Sequence, residues 1–574
     1  MASKQSMAKG FTILGVTSIL NKVLSVIYVP FLTLMIGDVG NGIANAGYVI
    51  YLLIYQVTYM GIPVALSKMV SEQVATGRYQ DSLRTLKIAA TMMLVIGVAL
   101  GGAMALGAGW IARLVGRPES AMTLLALSPT VLIASVSASV RGYFQGRHNM
   151  VPTSVSQVLE QAANTVFTLL FAWLMLRFGQ QQAALIGIVD PEQVRLYSLQ
   201  WGAAGSGLGT TAGALVSAGY LFFVVARGWR GIRAEVYQKD LSHLARGRAR
   251  IKSQRLTGQL ISQILKYAVP ITLGSIIVYS ANLVDLKFTN QRLEAGGFSA
   301  TEATALFGIL TTQYNKIINV PLALANTLAV VLLPGISGIA ALNDREGLNA
   351  KIGNGFRAVF MITLPSAALL AVLAEPVIRL LFPRNVHGMD LMWIGSWVIV
   401  PMALAQLQTS VLQGLGRMRL PVAHMAAGLV LKIAVNYVLI GIPQINVRGA
   451  VAGSAVCYGV ATLWNYVSIR RETGFRIKWR RQFLPAFAAS LALAAVAWGV
   501  WSGLELLLRG MIDSAWLASL VCMVPAVLMG GAAYAVTLLL CRGVYKAEVM
   551  RIPLLPKLVG RQRLERMLDR LQGL

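Results

Sequence analysis

Lys22, with Asn21 beside it, and Lys316, in the run Tyr314-Asn315-Lys316-Ile317, stand deep inside apolar stretches of the sequence. An ammonium so placed suits an anionic group, phosphate above all, as a mobile point charge without arginine's paired donors. The competing account is a structural ion pair or a snorkelling side chain, and snorkelling is hard from mid-span. Asp285, Lys287, Glu160 and Lys432 are enclosed by apolar sequence in the same way. Lys432 and Asn436 are four apart and share a helical face. Lys432 is therefore expected to pair with Asp285 and to take the place of a coupling cation; the alternative is two unconnected residues. Glu160 is expected simply to pair with Arg141 or Arg147. Charge within a membrane span is costly, so each of these residues is a functional candidate by default.

The elements that would hold them are membrane helices. Of 574 residues, 56% are hydrophobic and only 13% charged, against roughly a quarter charged in soluble domains. Mean hydropathy is +0.65. Apolar runs such as 88–106 contain no charged residue, and about 20 such residues cross a bilayer's hydrocarbon core as a helix. An ordinary cytosolic enzyme, a disordered chain and a disulfide scaffold are excluded. The expected fold class is an all-α polytopic membrane protein with about 14 transmembrane helices. The first two spans are placed at 11–36 and 44–66, with a loop at 37–43.

The chain carries 50 Lys and Arg against 22 Asp and Glu, a formal charge of +28. In a soluble protein that excess suggests nucleic acid; here it falls mainly into alternate loops, 227–266 and 470–481 above all. The positive-inside rule then puts both termini in the cytoplasm, with anionic membrane lipids at the basic loops and no nucleic acid as partners. Arg113, Arg117, Arg292, Arg379, Arg384 and Arg448 fall on the outer side as exceptions. The tail ends in a helical stripe, Leu564, Met567, Leu568 and Leu571, which either lies on the inner leaflet or packs on the protein itself.

The sequence repeats. Gln145-Gly146 followed by Pro152 recurs as Gln413-Gly414 followed by Pro421. Ile111-Ala112-Arg113-Leu114 parallels Val377-Ile378-Arg379-Leu380, and Pro63 has a looser counterpart in Pro334, all at about 270 residues' separation. Each half then holds six spans in the same orientation, as in parallel-repeat transporters. The expected organisation is a first lobe at 1–226, a basic cytoplasmic linker at 227–263, and a second lobe at 264–470. Two extra helices at 471–541 and a basic tail at 542–574 follow.

Glycine spacings at Gly97 and Gly101, Gly209 and Gly213, and Gly499 and Gly503 suit close helix packing. Gly205-Ser206-Gly207-Leu208-Gly209 imitates a nucleotide loop but lies inside an apolar span with no preceding strand. Four scattered histidines and three unpaired cysteines suggest no metal, no cofactor and no disulfide framework. With no P-loop or nucleophile elbow, neither ATP-driven transport nor enzymatic activity is expected.

Gly61-Ile62-Pro63-Val64-Ala65-Leu66-Ser67-Lys68, Arg141-Gly142-Tyr143-Phe144-Gln145-Gly146 and the run from Lys316 through Pro321 and Leu333-Pro334 to Ser337 resemble one family. It is the stage V sporulation protein B and MurJ-like branch of the polysaccharide-exporter and multidrug-exporter superfamily. The resemblance implies a bacterial cell-membrane flippase without ATP, carrying undecaprenyl-pyrophosphate-linked cell-wall precursor, notably lipid II, to the outer leaflet. It makes Lys22 and Lys316 the cavity cations for the pyrophosphate, with lysine standing where arginine is usual. Tyr28 replaces a second cavity arginine. Some relatives hold sodium among the seventh, eleventh and twelfth spans, which Lys432 argues against here. Trp498, Trp501 and Trp516 would line a groove for the polyprenyl tail. Other readings are an exporter of another lipid-linked oligosaccharide or of small cations, a glycan-processing membrane enzyme, and a non-transporting scaffold for cell-wall assembly.

Overall fold

A computed structural model describes residues 7–59, 61–245, 257–342, 344–383, 386–508 and 514–544. Its α-helices are α1 Met7–Tyr59, α2 Gly61–Ala75, α3 Tyr79–Leu106, α4 Ala108–Leu114, α5 Ala121–Gly146, α6 Val151–Leu185 and α7 Pro191–Ala245. There follow α8 Thr257–Ala295, α9 Ala300–Gly308, α10 Lys316–Ala341, α11 Arg345–Val372, α12 Ala374–Leu381 and α13 Met389–Gly395. The last are α14 Ile399–Gly414, α15 Arg419–Leu439, α16 Arg448–Thr473, α17 Trp479–Gln482, α18 Leu484–Leu508 and α19 Ala515–Leu540. No strand occurs among the described residues. The protein is all-α and membrane-spanning: eleven helices among the described residues are long and apolar enough to cross a bilayer. The tail stripe at 564–571 lies outside the described residues.

The expected loop at 37–43 is not a loop. Gly37 alone leaves helical geometry, at φ 65° and ψ −173°, a conformation that only glycine adopts without strain. The helix resumes at once, so the first apolar run extends over Gly15–Val74 and takes in two expected spans. The sequence at this point, Gly37-Asp38-Val39-Gly40-Asn41-Gly42, is polar enough to mark a break between spans, but the chain turns there at a single residue and not through a loop.

Two compact units form. One comprises Met1–Thr312 with Asn436–Ala450, the other Gln313–Val435 with Val451–Leu574. In the first, α1 runs along α5, α6 and α7, and α2 packs on α3, α5 and α8. Its interior includes an apolar cluster in which Ile50, Met104, Leu124, Val131 and Phe307 meet. In the second, α11 is central, touching α10, α14 and α18, while α18 pairs with α19.

Glycines set how closely these helices approach. Beta-carbons at Gly205 and Gly209 of α7 would run into the α6 backbone at Phe171 and Thr168, and one at Gly213 would lie 2.7 Å from the Glu160 carbonyl. The apparent nucleotide loop is therefore a smooth helix face. Gly97 and Gly101 of α3 meet Ser135 and the Ser128 carbonyl of α5 in the same manner. Gly499 and Gly503 do not: nothing lies within 4 Å of either. Their spacing makes a smooth face, but a smooth face does not determine what covers it. Gly209→Ala is expected to cost about 2 kcal/mol by forcing α6 and α7 apart, read as a lowered unfolding midpoint in detergent, whereas Gly499→Ala should leave it unchanged.

The repeat recurs as local geometry. At the end of α5, His148 has φ 58° and the Asn149 amide donates to the Phe144 carbonyl. At the end of α14, Gly416 has φ 78° and the Arg417 amide donates to Leu412. Both are six-to-one helix-ending turns. The preceding glycines also pack alike. A β-carbon at Gly146 would lie 2.6 Å from the Ser67 carbonyl of α2, and one at Gly414 would lie 2.9 Å from Ile336 of α10.

Candidate functional site

Each candidate residue is positioned by its own unit. Lys22 is on the N-terminal arm of α1, exposed, with Asn21 half-buried beside it. The Ser25 hydroxyl donates to the Lys22 carbonyl at 2.7 Å, and the Asn21 side-chain carbonyl is enclosed without a hydrogen-bond partner. An exposed ammonium at such a depth suits a membrane only where its helix lines water, because hydrocarbon offers it no counter-charge. Tyr28, half-buried two turns on, packs against the cluster of Leu32, Ile36, Ala172 and Leu199.

Lys316 opens α10 directly after a π-helical segment, Ile309–Asn315. A π turn holds one residue more than an α turn and shifts the following face; such turns are frequent at functional sites. Sequence pattern carries no signal for it. The segment is pinned beside Lys316. The Tyr314 hydroxyl donates to the Gly395 carbonyl at 2.9 Å, and any β-carbon at Gly395 would collide with the Tyr314 ring. Gly388 likewise leaves room for the Gln313 side chain. Ile317 and Ile318 are buried while Lys316 is half-buried, so the ammonium has the more open side of the turn. Upstream, Ser299 and Glu302 form a reciprocal capping box that starts α9. The Ser299 amide and hydroxyl hold the Glu302 carboxyl below its usual range.

Asp285 of α8 is buried and accepts a hydrogen bond from the Asn436 amide at 2.8 Å. Lys432 is 2% exposed and donates to the Ser454 hydroxyl of α16 at 2.9 Å. The sequence marks Asp285, Asn436 and Lys432 but not Ser454, whose type is unremarkable in an apolar span.

Glu160 pairs with Arg141, as the simpler reading held. The Arg141 guanidinium, almost wholly enclosed, reaches Glu160 at 2.5 Å, Ser217 at 2.7 Å and Ser156 at 2.9 Å. One side chain of α5 thereby fastens α6 and α7.

Three of the outer-side arginine exceptions also have structural employment. Arg117, 2% exposed, donates to Asn290 at 2.8 Å and to the Ala300 carbonyl at 3.0 Å, with Glu294 at 3.4 Å. Burial pulls its guanidinium below the usual arginine value, against the pull of Glu294 and Glu119. Arg292 donates to the Tyr437 carbonyl and lies over its ring at 4.2 Å. Arg379 bonds Glu375 and is 3.5 Å from Glu505.

Of the three tryptophans, Trp501 packs with Leu373, Ala497 and Ala526, and Trp516 donates to the Leu380 carbonyl at 3.0 Å. Trp498 is exposed.

A feature absent from the sequence reading is a tyrosine ladder on α1: Tyr48, Tyr51, Tyr55 and Tyr59. Successive ring centroids are 5.6, 5.5 and 4.9 Å apart, and the Tyr59 oxygen accepts from Gln157 of α6 at 3.0 Å. The spacing of three, four and four was a legible helical stripe.

With this geometry in place, the chain can be set beside known proteins. The sequence profile of a family described as "Polysaccharide biosynthesis protein" matches residues 7–340. Lipid II flippase MurJ of Bacillus subtilis (strain 168) is 24% identical over 496 residues, covering 83% of this chain and 85% of that protein. Stage V sporulation protein B of the same organism is 23% identical over 561 residues, covering 97% of this chain and 100% of that one. An inward-facing multidrug resistance MATE family transporter of the MOP superfamily superposes with a TM-score of 0.58 at 14% identity, over 79% of this chain and 95% of its own. That likeness concerns the fold.

Proposed function

Since this chain belongs to the polysaccharide biosynthesis protein family, in its MurJ-like and stage V sporulation protein B-like branch, we propose that it flips an undecaprenyl-pyrophosphate-linked cell-wall precursor, lipid II foremost, from the inner to the outer leaflet. At the coarser level the chain is a membrane flippase or exporter. The observation that carries the finer reading is chemical: the mid-span residues set against apolar sequence include Lys22, exposed on α1, and Lys316, half-buried after the π turn. Cations in such places suit a pyrophosphate and repel an organic cation. Asn21 and Tyr28 complete the substrate-binding group. Two six-helix lobes rocking against each other, with both termini cytoplasmic, would supply alternating access, and the basic loops would rest against anionic lipids of the inner leaflet.

Asp285, Lys432 and Asn436 form the coupling group in this reading, in which the Lys432 ammonium would stand in for a coupling cation. The test uses the purified chain in vesicles loaded with sugar-bearing undecaprenyl pyrophosphate, scored by accessibility of the sugar at the outer surface. Flipping is expected, and at the same rate when potassium replaces sodium throughout. Absence of flipping would overturn the function, and a sodium requirement would overturn the role given to Lys432.

A further inference from the structure

The tyrosine ladder has no part in the pyrophosphate site or in the coupling group. It lies within the first compact unit, and its rings run along one side of α1: Tyr48, Tyr55 and Tyr59 are seven and eleven residues apart, close to a single line down a helix. Tyr48 is 38% exposed and Tyr55 and Tyr59 are half-buried, so phenol edges are accessible. Tyr279 of α8 lies near Tyr48 and Tyr59, and Arg141 lies near Tyr55 and Tyr59.

Tyrosines in membrane proteins commonly form interfacial belts. This ladder is too long for one. The eleven residues from Tyr48 to Tyr59 rise about 16 Å, and the polar layer on each side of the hydrocarbon core is roughly 5–8 Å deep. Some of these phenols therefore stand at depths where hydrocarbon would leave a hydroxyl unsatisfied. Polar groups of α6 face the same region: Gln157 donates to Tyr59, and Gln161, one turn on, has an enclosed amide nitrogen with no hydrogen-bond partner.

Electrostatics narrows the occupant. An organic cation held by aromatic faces also needs an acid, and Glu160, the acid beside these rings, is already engaged by Arg141 at 2.5 Å. An anion finds that same arginine neutralised. What remains suited is a neutral, polyhydroxylated molecule with apolar faces: sugar C–H groups lie on phenol rings while hydroxyls and amides exchange hydrogen bonds with Tyr, Gln157 and Gln161.

We propose that the ladder of Tyr48, Tyr55 and Tyr59, with Gln157 and Gln161, is a saccharide subsite that receives the glycan head of the lipid-linked substrate. The assignment rests on the flippase reading above, and it places sugar recognition apart from the lysines that take the phosphates.

The experiment compares two probes on the full chain in detergent: undecaprenyl pyrophosphate without sugar, and the same lipid carrying a disaccharide. Tyr48→Leu combined with Tyr55→Leu should weaken binding of the sugar-bearing lipid about tenfold or more and leave the bare pyrophosphate lipid within twofold. Tyr55→Phe, which keeps the ring, should retain most of the affinity; an unchanged unfolding midpoint in the variants separates lost stacking from misfolding. Equal loss for both lipids, or no loss for either, overturns the subsite. Wild-type protein that binds neither lipid overturns the flippase reading, and the subsite with it. If the leucine pair fails to fold, Gln161→Leu decides: it should weaken the sugar-bearing lipid alone, and equal affinity for that lipid would reject the assignment.

Discussion

Lys22→Gln combined with Lys316→Gln is expected to reduce flipping in vesicles by at least a hundredfold. A hydrogen bond to a charged group contributes about 1.5–3 kcal/mol, so losing two from one pyrophosphate removes roughly 3–6 kcal/mol, or a factor of about 10² to 10⁴ in affinity. Glutamine removes the charge but keeps most of the side chain's volume, so packing of the half-buried Lys316 turn should survive, and the unfolding midpoint should be that of the wild type. Lys→Arg at both positions preserves charge and adds paired donors; it should retain most activity. Undiminished flipping in the glutamine pair would remove both residues from the substrate site. Loss in the arginine pair as well would mean that the positions are steric rather than electrostatic.

Arg141→Leu should be the most damaging single change to stability. It strips Glu160 of its counter-ion and removes the donors to Ser156 and Ser217, opening three helices at one point. Breaking a buried pair from one side costs about 3–5 kcal/mol. Glu160 is 30% exposed and recovers some solvation, so the lower end, about 3 kcal/mol, is expected. Arg141→Leu with Glu160→Leu should regain most of that, because no charge is left stranded. Unfolding midpoints of both variants in detergent decide the matter; equal damage from the single and double variants would show that the guanidinium matters for shape and not for charge.

The legible parts of this molecule were those written as contrasts in polarity. Arg141, Glu160, Asp285 and Lys432 stood out because a charge in an apolar run is visible without a structure, and two of them pair as the simpler reading held. The helix faces at Gly97 and Gly209 were legible for a related reason, since small residues at a spacing of four leave a groove. Illegible features lack such contrast. The polar run at 37–42 marks a break between two apolar helices but not that it is a one-residue kink at Gly37, and the π turn before Lys316 is a change in hydrogen-bond register with no side-chain signature. Gly499 and Gly503 repeat the spacing of Gly209 and Gly213 but meet nothing, because a sequence specifies a surface and only the fold supplies its partner. The tyrosine ladder was readable in its spacing, yet tyrosine is near neutral in hydropathy and so drops out of any search for buried charge.

The anchoring of Arg117 has a consequence for the order of synthesis. Its partner Asn290 lies 173 residues further along the chain, and Glu294 follows that. At about 5–20 residues per second, a ribosome needs roughly 10–30 s to reach them. Throughout that interval the guanidinium exists on a nascent chain without the groups that later enclose it, and its turn stays at the membrane surface, hydrated, while α5, α6 and α7 insert. The first compact unit therefore closes around Arg117 late, when α8 arrives, and a polypeptide halted before Asn290 should leave the Arg117 guanidinium open to a dicarbonyl reagent such as phenylglyoxal that the finished protein resists.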